Sequence, residues 1–147
     1  MKDKIVKYAP PLTANRRNAH HALHEWREVA CCRPIDYAHL DSYTLGDEKA
    51  EYDILQLFAS HLPQVVNQLR YAAHNNDING WRVAAHTIKG SAQAVGAKPI
   101  AQIAQVAENA AAVHWNIKIS ELENAVDDVM LHIKNRYARP PNAKSKL

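Results

Sequence analysis

Apolar residues recur three and four positions apart along most of the chain, and this spacing limits its fold more than any other feature. Residues at these intervals share one face of a helix, so each such run predicts an amphipathic α-helix. Only four glycines interrupt the 147 residues, and no run alternates apolar and polar residues as an exposed strand would. We therefore predict an all-α fold.

Four amphipathic helices joined by short links predict an antiparallel four-helix bundle with up-down-up-down order. The first is expected from Asp47 to about Asn75, the second from Asp77 to Gly96, the third from Lys98 onward, and the last over about residues 117–136. The residues predicted to face the core are, in chain order, Ile54, Leu55, Phe58, Leu62, Val65, Val66, Leu69, Ala73, Trp81, Ala85, Ile88, Ala92, Val95, Ile100, Ile103, Ala104, Ala107, Ala111, Leu122, Val126, Val129, Met130 and Ile133.

Additional helices are predicted on the N-terminal side of the bundle. A short one follows Asp36 and is closed by Gly46, and an amphipathic one covers about residues 13–32 with Trp26 on its apolar stripe. Inside the first bundle helix, Pro63 lacks an amide hydrogen and is expected to kink or split that helix near Ser60.

These boundaries divide the chain into three parts. We expect residues 1–33 to form an N-terminal extension, residues 34–137 the bundle domain, and residues 138–147 a disordered basic tail. Both ends are basic and the middle is acidic, a pattern that we interpret as solvated tails although nucleic acid or a membrane surface also attracts such ends. No apolar run is long enough to span a membrane, and the first residues lack the apolar core of a signal peptide.

Two neighbouring cysteines, Cys31 and Cys32, bear on the compartment. A disulfide between adjacent cysteines is strained, so we interpret both as free thiols, as in a reducing environment. The protein is therefore expected to be cytoplasmic.

His86 lies on the face opposite the predicted core stripe of the second bundle helix. It precedes the core residue Ile88 by two positions, which places it about 160° away around the helix. Four residues share its face at helical spacing: Arg82, Lys89, Gly90 and Gln93. The sequence predicts a solvent-exposed imidazole with cationic neighbours and, one turn further on, a position without a side chain.

Gly90 is unusual because it stands inside a helix, where glycine costs about 1 kcal/mol relative to alanine. It is not at the helix end, where a cap would explain it. Its missing side chain leaves room for a partner surface to approach the helix next to His86. This cost argues against an incidental surface histidine.

The segment HTIKGSAQAVGA, from His86 to Ala97, resembles the signature of histidine-containing phosphotransfer (HPt) domains of two-component phosphorelays. Lysine and glycine follow the histidine by three and four residues, and small residues and a second glycine come after them. The preceding segment LFASHLPQVVNQLRYAAHNND is also similar to that family, and the resemblance covers about residues 35–137.

The resemblance implies a four-helix bundle in which His86 accepts a phosphoryl group from the aspartyl phosphate of one receiver domain and passes it to the aspartate of another. Lys89 would steady the phosphoryl group, and Gly90 would give clearance to the receiver. Aligned by residue count, Glu108 occupies the position of a polar side chain that hydrogen-bonds the histidine. It could orient the ring through one nitrogen and leave the other free to attack.

The resemblance also implies partners: response-regulator receiver domains and a hybrid sensor histidine kinase, with no nucleic acid and no membrane. Small residues, Ala94 and Ala97, are expected to permit apolar receiver contact near the histidine, and Lys98 to add a charge at the rim. The initial methionine and terminal tail favour a free-standing relay protein over a fragment of a hybrid kinase. We expect a monomer, with a dimer through the N-terminal helix as the alternative.

The chain contains no glycine-rich phosphate loop, because its four glycines stand singly. We therefore expect a phosphoryl carrier without ATP-dependent kinase activity and without a cofactor of its own. Mg²⁺ is expected to come from the acidic pocket of the partner receiver domain.

Three other functions can be weighed against the sequence. A metal-binding module could use a histidine pair one turn apart, with further ligands nearby: His20, His24, His21, Cys31 and Cys32. Neither C-x-x-C nor H-E-x-x-H spacing is present, so no metal site is predicted. A nucleic-acid binder would use the basic ends, but no recognition motif accompanies them. A non-phosphorylated helical scaffold would not need His86, Lys89 and Gly90.

Overall fold

A computed structural model describes residues 33–138, and every residue in this range is helical or in a short connection. Five α-helices form: α1 (Tyr37–Thr44), α2 (Glu48–His74), α3 (Ile78–Val95), α4 (Lys98–Glu108) and α5 (Trp115–Arg136), with a 3₁₀ turn at Ala112–His114 before α5. The all-α prediction is confirmed. The sequence interpretations of residues 1–32 and 139–147 lie outside the described residues.

The four longer helices form a closed bundle. Each of α2 to α5 packs against its neighbour in sequence, and α5 packs back against α2. Ion pairs fix α2 and α5 as antiparallel, because Glu51 near the start of α2 meets Arg136 at the end of α5, whereas Arg70 near the end of α2 meets Glu123 in the first half of α5. Within residues 33–138, no helix is long and apolar enough to cross a membrane.

Helix boundaries follow local capping chemistry. The carboxylates of Asp36, Asp47 and Asp77 accept backbone amide hydrogen bonds at the starts of α1, α2 and α3. Gly96 ends α3 in the left-handed conformation, as predicted, with φ of 77°. At the end of α1, the left-handed cap is Leu45, one residue earlier than the glycine expected to close this helix.

Pro63 was expected to kink or split α2 near Ser60, and the split does not occur. The helix continues through Pro63 for 27 residues. Leu62 and Val65, on either side of the proline, are both buried in the core. Packing of the apolar face therefore holds the helix together across the backbone hydrogen bond that proline cannot make.

The core contains most of the predicted inward-facing residues, including the whole α3 stripe from Trp81 to Val95. Three expectations are wrong. Ala111 is exposed because α4 ends at Glu108, and Ile54 and Met130 lie at the edge of the core with 37% and 40% of their surface accessible. On α5, Val129 takes the inner position that leaves Met130 turned about 100° outward.

A polar cluster joins α1, α2 and α5 at one end of the bundle. The Tyr137 hydroxyl donates to the buried Glu51 carboxylate at 2.5 Å, and the Arg136 guanidinium lies 3.8 Å from the centre of the Tyr37 ring. Burial raises the pKa of Tyr37 to about 12, so this phenol stays neutral at physiological pH. The cluster holds α1 against the bundle.

Candidate functional site

His86 lies midway along α3 on its outer face. The preceding and following core residues, Ala85 and Ile88, are fully buried. The helical turn therefore directs His86 away from the core, and 68% of its side chain is accessible. The predicted exposure of this imidazole agrees with the structure.

The register between α3 and α4 is set by tryptophan packing below the histidine. The Trp81 indole N–H donates to the Ala107 carbonyl at 2.7 Å, and its ring stacks on that of Trp115 with 4.6 Å between centroids. Ala107 immediately precedes Glu108. The same contact that anchors α4 to α3 therefore brings the Glu108 side chain up to His86.

The Glu108 carboxylate bridges the two residues that the sequence placed on one face of α3. Its Oε1 lies 3.0 Å from His86 Nδ1, and its Oε2 lies 2.5 Å from Lys89 Nζ. The hydrogen bond from Lys89, followed by that from His86, lowers the pKa of Glu108 below its ordinary value. Glu108 is therefore an anion at neutral pH.

The contact with Glu108 determines which nitrogen of a neutral His86 ring carries the hydrogen. An ionised carboxylate can only accept hydrogen bonds, so Nδ1 must carry the hydrogen that Glu108 Oε1 receives. Nε2 is then the nitrogen with the free lone pair. The arrangement provides an exposed imidazole nucleophile, an oriented ring and an ammonium group within one cluster.

Beside the cluster, the face of α3 is open. Apart from its chain neighbours and the backbone of its own helix, a methyl group built on Gly90 would meet no atom within 4 Å, so internal packing does not explain this glycine. Arg82, Gln93 and Ala94 are also exposed.

Two other residues that were predicted to bind a partner make contacts within the protein instead. Ala97 is fully buried, because it caps the start of α4 and its amide bonds to the Ala92 carbonyl at 2.8 Å, so its predicted contact with a partner is wrong. Lys98 is exposed, but its Nζ pairs with Asp36 Oδ2 at 2.7 Å. Hydrogen bonding from Lys98, and then from the His39 amide, lowers the pKa of Asp36. In this state Lys98 ties the start of α1 to α4.

The sequence interpretation missed an apolar flank on the α2 side. Val83 is 66% exposed one turn before His86, and Tyr71 of α2 is 71% exposed. Both line an open groove between α2 and α3 together with the amides of Gln64 and Gln68. The three-residue spacing between Val83 and His86 was the available signal, since it places both on one face.

Within residues 33–138, no group of three or more histidine, cysteine, aspartate or glutamate side chains is arranged to hold a metal ion. The alternative metal ligands, His20 to Cys32, lie outside the described residues.

Comparison with known proteins assigns the family. The profile of the Hpt domain matches residues 53–131, which include α3, α4 and most of α2 and α5. No curated protein and no solved structure gives a significant match. Because the profile covers more than half of the sequence, the chain belongs to the Hpt domain family, which implies a histidine phosphotransfer role in a phosphorelay.

Proposed function

We propose that His86 Nε2 carries a phosphoryl group between the aspartates of two response-regulator receiver domains. The single observation that carries this proposal is the Glu108–His86 contact, which leaves Nε2 as the free nitrogen of an exposed ring. In the first transfer the Nε2 lone pair forms the N–P bond, the P–O bond of the aspartyl phosphate breaks, and the aspartate leaves as a carboxylate. The second transfer reverses these roles with another aspartate.

Lys89 is proposed as the cation that neutralises the transferred group. Its ammonium group already lies in the cluster, held by Glu108, and its flexible stem allows it to turn toward a phosphoryl group on the neighbouring ring. Phosphoryl transfer depends mainly on positioning and charge neutralisation, which such an ammonium group supplies.

Receiver docking is proposed over the open face of α3. Gly90 gives clearance beside the imidazole, and the exposed Val83, Ala94 and Tyr71 supply apolar contact of the kind found at the centre of interfaces. Mg²⁺ would belong to the receiver, and a hybrid sensor histidine kinase would supply the phosphoryl group through its receiver. We assign this activity to residues 34–137, since the buried Ile35 joins α1 to the core.

The test is phosphotransfer from a radiolabelled receiver domain. His86→Ala is expected to abolish an acid-labile, base-stable label without changing the helical content. His114→Ala, which removes another exposed histidine outside the cluster, is the matched control and should label normally. Normal labelling of His86→Ala would refute the assignment.

Lys89 is tested in the same assay. Lys89→Ala should slow transfer while receiver binding remains measurable, because the lysine acts on the phosphoryl group rather than on docking. Lys118→Ala removes a lysine that pairs with Glu121 on α5 and serves as the control. An unchanged transfer rate in Lys89→Ala would remove Lys89 from the site.

A further inference from the structure

Glu108 is a charged group at a position where a neutral side chain would be enough to orient the ring. An amide can accept a hydrogen bond from Nδ1–H or, after turning, donate one to an unprotonated Nδ1. An ionised carboxylate can only accept. The structure therefore places beside His86 a group that is compatible with only one protonation state of Nδ1.

The chemistry of the phosphorylated ring makes this difference important. When a neutral imidazole attacks through Nε2, the product carries the phosphoryl group on Nε2, a hydrogen on Nδ1 and a positive charge on the ring. If the hydrogen stays, the later break of the N–P bond releases neutral imidazole. If it is lost, the same break must release an imidazolate anion, which is a far poorer leaving group.

We propose that Glu108 is a positioning residue that keeps the Nδ1 proton on phosphorylated His86, so that the ring departs as neutral imidazole when the phosphoryl group moves on. In that step the N–P electron pair returns to Nε2, a new P–O bond forms to the acceptor aspartate, and the Nδ1 proton stays in place. This inference rests on the proposed function and adds a role for Glu108 in the second transfer.

The contacts of Glu108 strengthen this effect once the phosphoryl group arrives. In the unphosphorylated state the carboxylate is shared between His86 and Lys89. A phosphoryl group on Nε2 competes for the Lys89 ammonium group. When Lys89 turns toward it, the full charge of Glu108 is left to stabilise the Nδ1 proton.

The other groups around the ring do not duplicate this role. On α3 the charged neighbours are the cations Arg82 and Lys89. On the flanking α2, the groove beside α3 is lined by amides and a phenol, namely Gln64, Asn67, Gln68 and Tyr71. Asp77, at the start of α3, lies nine residues from His86, roughly 13 Å along the helix axis. Among the described residues, the carboxylate in contact with the imidazole is that of Glu108.

The test needs no receiver domain for its first readout. Phosphoramidate loads histidine chemically, with release of ammonia as the N–P bond to His86 forms, and His86→Ala identifies the corresponding signal among the nine histidines. ¹⁵N NMR then follows loss of the Nδ1 proton from the phosphorylated ring as pH rises. We expect the midpoint in wild type to lie at least about one pH unit above that in Glu108→Gln.

A second readout follows the rate at which phosphorylated protein passes its group to an unphosphorylated receiver. Wild type should keep its rate over the interval where Glu108→Gln loses about tenfold per pH unit. Glu121→Gln, which removes a carboxylate on α5 that pairs with Lys118, should behave like wild type in both readouts. Equal NMR midpoints in wild type and Glu108→Gln would overturn the proposal.

Two features of the design keep the outcomes distinct. The wild-type midpoint is also compared with that of a phosphorylated peptide of residues 84–97, so the result does not depend on folding of the Glu108 variant. A midpoint equal to that of the peptide would also overturn the proposal. If the NMR shift is found but no receiver exchanges phosphoryl groups with His86, the relay function fails while the effect of Glu108 on the ring stands.

Discussion

Replacing Gly90 with alanine should make the protein more stable and a poorer phosphotransfer partner. Gly90 stands inside α3, five residues before its last residue, Val95, so no helix cap requires a glycine there. Its φ is not in the left-handed region, and an added methyl group meets no atom within 4 Å beyond its chain neighbours and the backbone of its own helix. The substitution therefore carries no steric penalty in the isolated protein.

The expected gain in stability comes from the unfolded chain and from helix propensity. At a position whose conformation alanine adopts without strain, Gly→Ala stabilises by about 0.4–1 kcal/mol. For a domain of this size the corresponding rise in Tm is roughly 2–4 °C. The added methyl group also projects into the space that we assign to a receiver, so receiver-dependent labelling should slow, and Gly90→Gln should slow it further.

Three measurements test both effects. Thermal unfolding followed by circular dichroism reports stability, and receiver-dependent labelling reports docking. Chemical loading with phosphoramidate reports the intrinsic reactivity of His86, which should not change. Gly80→Ala is the matched control on the same helix: its methyl group would clash with Asp77 Oδ2, so this variant should lose stability by displacing the N-cap.

The gain in stability and the slower receiver-dependent labelling can be refuted separately. A lower Tm for Gly90→Ala would show that the open space beside α3 is wrongly inferred. Receiver-dependent labelling at the wild-type rate in both Gly90→Ala and Gly90→Gln would show that no partner uses that space. Slower chemical loading would locate the effect in His86 itself.

Three further substitutions probe the framework around the site. Glu108→Gln should lower the free energy of unfolding in urea at pH 7. The difference from wild type should shrink as pH falls below 4.5, the ordinary pKa of glutamate, and vanish once pH is below the lowered pKa of Glu108 in the folded protein, because a lowered pKa stabilises the fold only while the carboxylate is ionised. Trp81→Phe should lower the free energy of unfolding in urea by about 2 kcal/mol, because the hydrogen bond to Ala107 is lost and the buried ring is smaller. Gly96→Ala should lower the free energy of unfolding by about 2 kcal/mol, since its methyl group would lie 2.9 Å from the Asp36 carbonyl oxygen. The same variant should speed hydrogen exchange at the Asp36 amide.

The controls for these variants come from the same fold. Gly46 has a similar positive φ of 81° but no contact closer than 3.9 Å, so Gly46→Ala should cost only about 1 kcal/mol. Equal losses of stability in Gly46→Ala and Gly96→Ala would show that the contact with Asp36 does not cause the loss at Gly96. A stability difference for Glu108→Gln that is as large at pH 3 as at pH 7, or a loss below about 0.5 kcal/mol for Trp81→Phe, would contradict the other two predictions.

The helix boundaries and the exposed face of α3 could be predicted from the sequence, because they depend on local interactions. Asp77 and Gly96 bound α3 because capping depends on the residue itself and its nearest amides. The helical repeat alone placed His86 opposite Ile88, on the outer face. The resemblance of the segment around His86 to a phosphotransfer signature agrees with the Hpt match over residues 53–131.

Contacts between helices were decided only by the tertiary structure. Residue count suggested Glu108 as a partner of His86, but its second bond, to Lys89, depends on how α4 lies against α3. The continuity of α2 through Pro63 and the burial of Ala97 have the same origin, because packing of neighbouring helices outweighs local preference. The sequence alone determined which face carries His86. Only the packed bundle determined which of its nitrogens is free, because that depends on a carboxylate 22 residues away on another helix.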